Sequence, residues 1–170
     1  ISGGQSVEER NLARAKEMYE EDPSSPDAIN RYAQLLKKQG TAEGRQQAHD
    51  LYLKGYEATN EYRFRMQAGD IEIEDLERAL EKLNNQFEEK PDDETLKAER
   101  DETRTKLLEL KSSEYSERVK LYPTDRFRKF DLGMIEYELG HYDEAMAQFQ
   151  ASKDEPKLRA RAGHMLGRCF

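Results

Sequence analysis

The chain contains a single cysteine, Cys169, among its 170 residues. An internal disulfide is therefore impossible, which excludes the disulfide frameworks of small secreted domains. No apolar run approaches the roughly 18 residues that a membrane-spanning helix needs. The cellular location stays unknown, with a cytoplasmic one slightly favoured. Because the sequence begins at Ile1, we expect a processed or truncated chain with a flexible lead-in over 1–6, in which an upstream signal or anchor would be lost from view.

Large aliphatic residues are also scarce, since Leu, Ile, Val and Phe together make up only 30 of the 170 residues. A highly charged chain below about 20% in these residues is suspected of disorder. Here, however, the apolar residues recur at helical spacing, and 15 Ala, 9 Tyr and 5 Met supplement them. The pattern predicts an ordered, thin, all-α protein, without any alternating β pattern.

Positive charge is in deficit, with 28 basic against 36 acidic residues and a net charge of −8. This balance opposes binding to nucleic acid or to anionic lipid. The charge is uneven, because residues 71–106 carry a net −6 whereas residues 153–170 carry a net +3. Local patches therefore indicate more about partners than the total does.

Signals of catalysis are missing as well. The only histidines are His49, His141 and His164, and they do not have a metal-ligand spacing. His164 and Cys169 are five residues apart, which does not place them on one face of a helix. The sequence contains no glycine-rich phosphate loop. We therefore predict a protein that is not an enzyme and has neither cofactor nor metal.

Five prolines and three of the glycines punctuate the chain between helical patterns. They divide it into about eight predicted helices, at 7–20, 26–39, 42–68, 72–89, 93–121, 125–139, 142–153 and 156–170. Capping residues support several of these boundaries. Ser25, Asp93 and Asp125 suit helix starts, and Gly40 and Gly140 suit the left-handed residue that follows a helix end.

A spacing of 34 residues separates Leu132-Gly133 from Leu166-Gly167. Residues 126–156 resemble one complete tetratricopeptide repeat, with Leu132, Gly133, Ala145 and Phe149 in step with the family's pattern. Residues 26–52 resemble a second copy. The resemblance implies a half repeat over 7–25, repeats over 26–70 and 123–156, an enlarged repeat over 71–122 and a half repeat over 157–170.

The family resemblance implies a right-handed α-solenoid of antiparallel helix pairs across 7–170. Small residues at Ala33, Gly133 and Gly167 would let the paired helix approach closely. Such a solenoid leaves one curved side free for a partner. The expected function is therefore a scaffold for protein–protein interaction.

The enlarged repeat contains an apolar stripe with 3,4,3,4 spacing, formed by Ile73, Leu76, Leu80, Leu83 and Phe87. If the chain reverses at Pro91-Asp92, each stripe residue faces a partner in the next helix, and every pair of residue numbers sums to 183. The partners are Leu110, Leu107, Thr103, Arg100 and Leu96. This register predicts an elongated antiparallel hairpin, either with a simply solvated acidic face or as an acidic projection for a basic partner or a second copy.

The family resemblance also implies a groove lined by first-helix residues. The predicted lining comes from three repeats. Repeat 123–156 contributes Phe127, Phe130, Met134, Tyr137 and Glu138; repeat 26–70 contributes Asn30, Gln34, Lys37 and Lys38; and the final half repeat contributes Arg161, His164 and Arg168. Such a groove would take a segment with hydrophobic anchors and an acidic group. The competing interpretation places Phe130 and Tyr137 in the core and treats the arginines as ordinary solvated charges. The Lys/Asn carboxylate clamp of some family members is not carried over, because Asn30 and Gln34 replace the expected pair and Asp131 would repel a carboxylate.

The sequence thus predicts a non-catalytic scaffold that binds a partner protein or peptide in a helical-repeat groove. One alternative is a self-assembling helical adaptor that dimerises through the acidic hairpin or by end-to-end stacking. A second is an RNA-binding helical repeat, suggested only by the basic final helix, although the net charge argues against nucleic acid.

Overall fold

A computed structural model describes residues 6–170 of the chain. These residues form eight α-helices and no strand, which confirms the all-α prediction. The helices are α1 (Val7–Glu21), α2 (Pro26–Lys38), α3 (Ala42–Thr59), α4 (Tyr62–Glu89), α5 (Glu94–Leu121), α6 (Arg126–Glu138), α7 (Tyr142–Ser152) and α8 (Arg159–Cys169). Within the described part of the chain, no helix is long and apolar enough to cross a membrane.

Several predicted caps are confirmed. The side chains of Ser25, Asp93 and Asp125 each accept a hydrogen bond from a backbone N–H in the first turn of α2, α5 and α6. Gly40 and Gly140 have φ values of +71° and +80°. Because a side chain is strained in this conformation, these two positions favour glycine. The predicted lead-in is wrong at Ser6, which forms a capping box with Glu9 at the start of α1. Residues 1–5 of that lead-in lie outside the described residues.

The predicted break near Gly69 is wrong, since Gly69 is buried inside α4. The chain instead turns at Asn60, whose φ of 55° lies in the left-handed region. Asparagine tolerates this conformation better than most residues do. The Thr59 hydroxyl stabilises the turn, because it donates to the Gly55 carbonyl at 2.7 Å and accepts from the Glu61 N–H at 3.2 Å. Glycine was therefore not needed to end α3.

The chain divides into two compact units, Ile1–Glu72 and Ile73–Phe170. In the first unit, α1 packs on α2 and α2 packs on α3. The core of this unit is formed by Ile29, Ala33 and Leu36 of α2, Ala48, Leu51 and Tyr52 of α3, and Phe64, Ala68 and Ile71 of α4. Burial raises the pKa of Tyr52 to about 12, and its hydroxyl donates to Asn30 Oδ1 at 3.4 Å.

The second unit packs neighbour on neighbour through α5, α6, α7 and α8. Its main cluster consists of Phe130, Ala145, Phe149, Leu158, Ala162 and Met165. The predicted close approach at Gly133 is confirmed, because a Cβ there would lie 2.8 Å from Phe149 Cε1. At Gly167 nothing lies within 4 Å of a Cβ position, and the second helix of that half repeat is not among the residues that the structure describes, so the close approach there stays a prediction. Helix α8 packs through Ala162 and Met165.

The second unit also contains a helical hairpin, formed by α4 from Ile73 onward and by α5. Ile73, Leu83 and Leu107 are buried, and the other apolar positions of the predicted stripe are half-buried. Lys111 Nζ of α5 lies 2.6 Å from Glu77 Oε1 of α4, and the Arg100 guanidinium lies 4.1 Å from the Phe87 ring centre. Arg100 was expected opposite Leu83, but its long side chain reaches one turn further toward the connecting loop.

Candidate protein-interaction groove

The groove lies between α6 and α8. Helix α6 starts at the Asp125 cap, and its position is fixed on one side by Phe149 of α7, which packs against Gly133 and Phe130. On another side, the Ser112 hydroxyl of α5 donates to the buried carboxylate of Glu136, which also lies 2.6 Å from His141 Nδ1. Since apolar and polar contacts both hold α6, its groove-facing side chains are carried on a rigid element.

Six residues line this groove, which encloses about 300 Å³: Phe130 and Met134 of α6, and Ala160, Arg161, His164 and Met165 of α8. Four of them, Phe130, Met134, Arg161 and His164, are residues that the family resemblance implied, although Phe130 is buried in the core cluster, as the competing interpretation predicted. The lining is almost entirely apolar apart from the arginine and the histidine. The volume is sufficient for one large side chain of a bound segment.

Two arginines of α8 lie over aromatic rings of α6. The Arg161 guanidinium carbon is 4.6 Å from the Phe130 ring centre, and that of Arg168 is 5.1 Å from the Tyr137 ring centre. Both distances are typical of a cation–π interaction. The structure therefore places basic groups at the edge of an apolar floor, and it brings Tyr137 and Arg168 into the neighbourhood of the groove although they do not line it.

One acidic residue accompanies these cations. Burial raises the pKa of the Asp131 carboxyl above its ordinary value, and the nearby charge of Arg161 acts in the opposite direction. Asp131 thus shares the electrostatic environment of Arg161. A carboxylate that approached Arg161 would meet both charges.

The remaining α6 residue of the predicted groove, Phe127, extends the apolar face. It is 47% exposed and stands three and seven residues before Phe130 and Met134, a spacing that places all three on one side of a helix. Glu138, at the other end of α6, instead approaches Arg104 of α5 at 3.4 Å.

The predicted groove residues of α2 take part in contacts within the first unit. Asn30 accepts hydrogen bonds from Tyr52 and Gln34, and Lys38 Nζ lies 3.5 Å from Glu8 Oε1. Lys37 is half-buried. Asn30 therefore accepts the hydrogen bond of the buried Tyr52 hydroxyl, a role that its position on the first helix of the repeat did not indicate.

Sequence reasoning missed Ala160 and Met165, which complete the lining on α8. Positions 160, 161, 164 and 165 recur with the period of one helix face, so a helical wheel would have grouped them. The prediction used only positions carried over from the repeat pattern, and Ala160 offers no chemical signal of its own.

Among the described residues, no cluster of three or more His, Cys, Asp or Glu side chains could hold a metal ion. The groove is lined by apolar side chains together with one guanidinium group and one imidazole. Neither a protein-family model nor a curated protein matches the chain.

Proposed function

We propose that the chain is a non-catalytic, tetratricopeptide-like scaffold that binds a segment of a partner protein. The observation that carries the proposal is the groove between α6 and α8, where Phe130, Met134 and Met165 form an apolar floor beside Arg161. Interfaces of this kind depend on a few buried anchors surrounded by polar contacts. The proposed ligand is a peptide segment with an apolar anchor and an acidic group.

Repeat-like packing supports the scaffold. Helices α2/α3 and α6/α7 form two pairs with the same turn, in which a glycine of positive φ precedes the second helix. In each pair, an alanine and an aromatic residue four positions later are fully buried: Ala48 with Tyr52, and Ala145 with Phe149. A right-handed solenoid with one curved binding side is the architecture that we propose for such pairs.

A peptide array probed with the wild-type chain tests this function. We expect the double variants Phe127→Ala/Met134→Ala and Arg161→Glu/Arg168→Glu each to lose most of the captured peptides, because the first removes anchor contacts and the second reverses the charge. The control variants Leu121→Ala, at an exposed apolar position, and Lys157→Glu/Arg159→Glu, at exposed basic positions, should retain them. Unchanged capture by both groove variants would contradict the proposal.

Sedimentation over a concentration range separates this function from self-assembly. The scaffold proposal expects a monomer whose peptide capture does not depend on protein concentration. A dimer that dissociates in the groove variants would favour the self-assembling adaptor instead.

A further inference from the structure

The two arginine–aromatic pairs share one register. Phe130 and Arg161 are 31 residues apart in the sequence, and so are Tyr137 and Arg168. A constant difference means that α6 and α8 run in the same direction along the groove. Seven residues separate Phe130 from Tyr137 on α6 and Arg161 from Arg168 on α8. At a rise of 1.5 Å per residue, the two guanidinium groups are therefore about 10 Å apart.

The apolar pocket starts at the first arginine–aromatic pair, since Phe130 and Arg161 line it together with Ala160, and it extends toward the second pair along the helix axis. Met134 of α6 and His164 and Met165 of α8 all fall between the pairs in sequence. Ligand-accessible apolar surface is thus flanked at each end by a cation that is already held over a ring. A guanidinium in a cation–π contact is partly desolvated and ordered, so it loses less entropy when it binds a carboxylate.

We propose that the groove recognises a segment with two carboxylates about 10 Å apart on either side of one apolar side chain, an inference that rests on the proposed function. Arg161 and Arg168 bind the carboxylates, and the apolar side chain enters the pocket at Met134. Charge complementarity favours this ligand, because residues 153–170 carry a net +3. In an extended polyproline-like segment with three residues per turn, side chains three residues apart lie on one edge at about 9 Å, and the residue just before the second of them projects from a neighbouring edge. Two edges can face a groove together, so the sequence pattern is acidic, any, apolar, acidic.

Asp131 weakens this recognition. Asp131 follows Phe130, over whose ring the Arg161 guanidinium lies, so its negative charge stands near Arg161 and repels the first carboxylate of the ligand. Removing this charge therefore removes a repulsion that the ligand would meet at Arg161. This property yields a variant that should gain affinity, which a loss of folding cannot imitate.

Four fluorescein-labelled peptides test the inference by fluorescence polarisation: Gly-Glu-Ala-Leu-Glu-Gly, the same peptide with both Glu replaced by Gln, the same peptide with Leu replaced by Ala, and the isomer Gly-Glu-Glu-Leu-Ala-Gly with adjacent acids. We expect the first to bind most tightly to the wild-type chain. Each altered peptide should bind about three- to tenfold more weakly, a range of roughly 0.7–1.4 kcal/mol.

Single variants locate the contacts. Arg161→Gln and Arg168→Gln should each weaken the first peptide about three- to tenfold, whereas Arg159→Gln, an equal charge change on the same helix, should not. Asp131→Asn should strengthen it about threefold. All these differences should shrink at high salt because the contacts are exposed.

Two results would overturn the inference: equal binding of the isomer with adjacent acids, or equal behaviour of Arg168→Gln and Arg159→Gln. Absence of binding by all four peptides would also overturn it. In each case the peptide array still tests the proposed function separately. If peptide capture depends on Met134 but not on the two arginines, the groove function stands and only the ligand with two spaced carboxylates is excluded.

Discussion

The helix pairs α2/α3 and α6/α7 solve one packing problem with different chemistry. Both place a fully buried aromatic residue four positions after a fully buried alanine. In α6/α7 the aromatic residue is Phe149, and the close approach comes from Gly133 in the first helix. In α2/α3 the aromatic residue is Tyr52, whose hydroxyl requires Asn30, and the close approach comes from Gly55 of the second helix against Ile29. Either helix of a pair can therefore supply the glycine that allows the close approach.

The comparison also separates the two predicted halves of the binding surface. On α2, the candidate residues Asn30 and Lys38 contact groups of the same unit. On α6, Phe130 is likewise buried in the core cluster, whereas Met134 is half-buried and lines the groove. Equivalent positions of a repeat can thus serve the fold in one pair and remain accessible to a ligand in another, because only an uncommitted side chain is available for binding.

The largest effect should come from Phe149→Ala. Phe149 has no exposed surface, and its truncation leaves a cavity against Phe130 and Gly133. We expect the free energy of unfolding to fall by about 3–5 kcal/mol, measured by urea denaturation. The exposed Phe127→Ala is the control and should change stability little. A loss below about 1 kcal/mol would show that α6/α7 packing does not depend on this ring.

A smaller effect is expected at the glycine that receives this ring. Gly133→Ala would bring a methyl group within 2.8 Å of Phe149 and should cost about 1–3 kcal/mol through overpacking. Gly163→Ala is the matched helical control, since no atom lies within 4 Å of its Cβ position. It should stabilise the chain by about 0.5–1 kcal/mol through helix propensity. Thermal unfolding of both variants checks the opposite signs, and equal signs would contradict the close approach.

The smallest effect concerns pH in the first unit. Burial lowers the pKa of His49, but hydrogen bonds to Asp50 and Glu72 outweigh it and hold the pKa above its usual value. A histidine whose pKa is raised on folding stabilises the protein below the unfolded pKa of about 6.5 and loses that contribution as pH rises through the folded pKa.

His49→Gln should therefore lower the melting temperature more at pH 5.5 than at pH 8. Thermal melts of the wild type and the variant at both pH values measure this difference. Because Phe149→Ala removes no titratable group, it should show no comparable pH dependence. An equal loss at the two pH values would mean that the His49–Glu72 contact, at 2.7 Å, does not couple protonation to folding.

Helix type and most boundaries could be predicted from local chemistry, because caps such as Ser25 and Asp125 and the glycines at 40 and 140 act within a few residues. The break at Asn60 was missed, since left-handed asparagine is a weaker signal than the glycine at 69. For the candidate site, Phe130 and Arg161 were predicted individually. Their contact could not be, because it depends on how α7 places α8 beside α6.

The sequence by itself determined an all-helical chain, the two glycine turns and the amphipathic faces, since each is encoded by neighbours within about two helical turns. Only the tertiary structure decided which of those faces remains accessible. Packing commits Asn30 to Tyr52 and leaves Met134 beside Arg161 at the groove, because burial is set by contacts between helices far apart in the sequence.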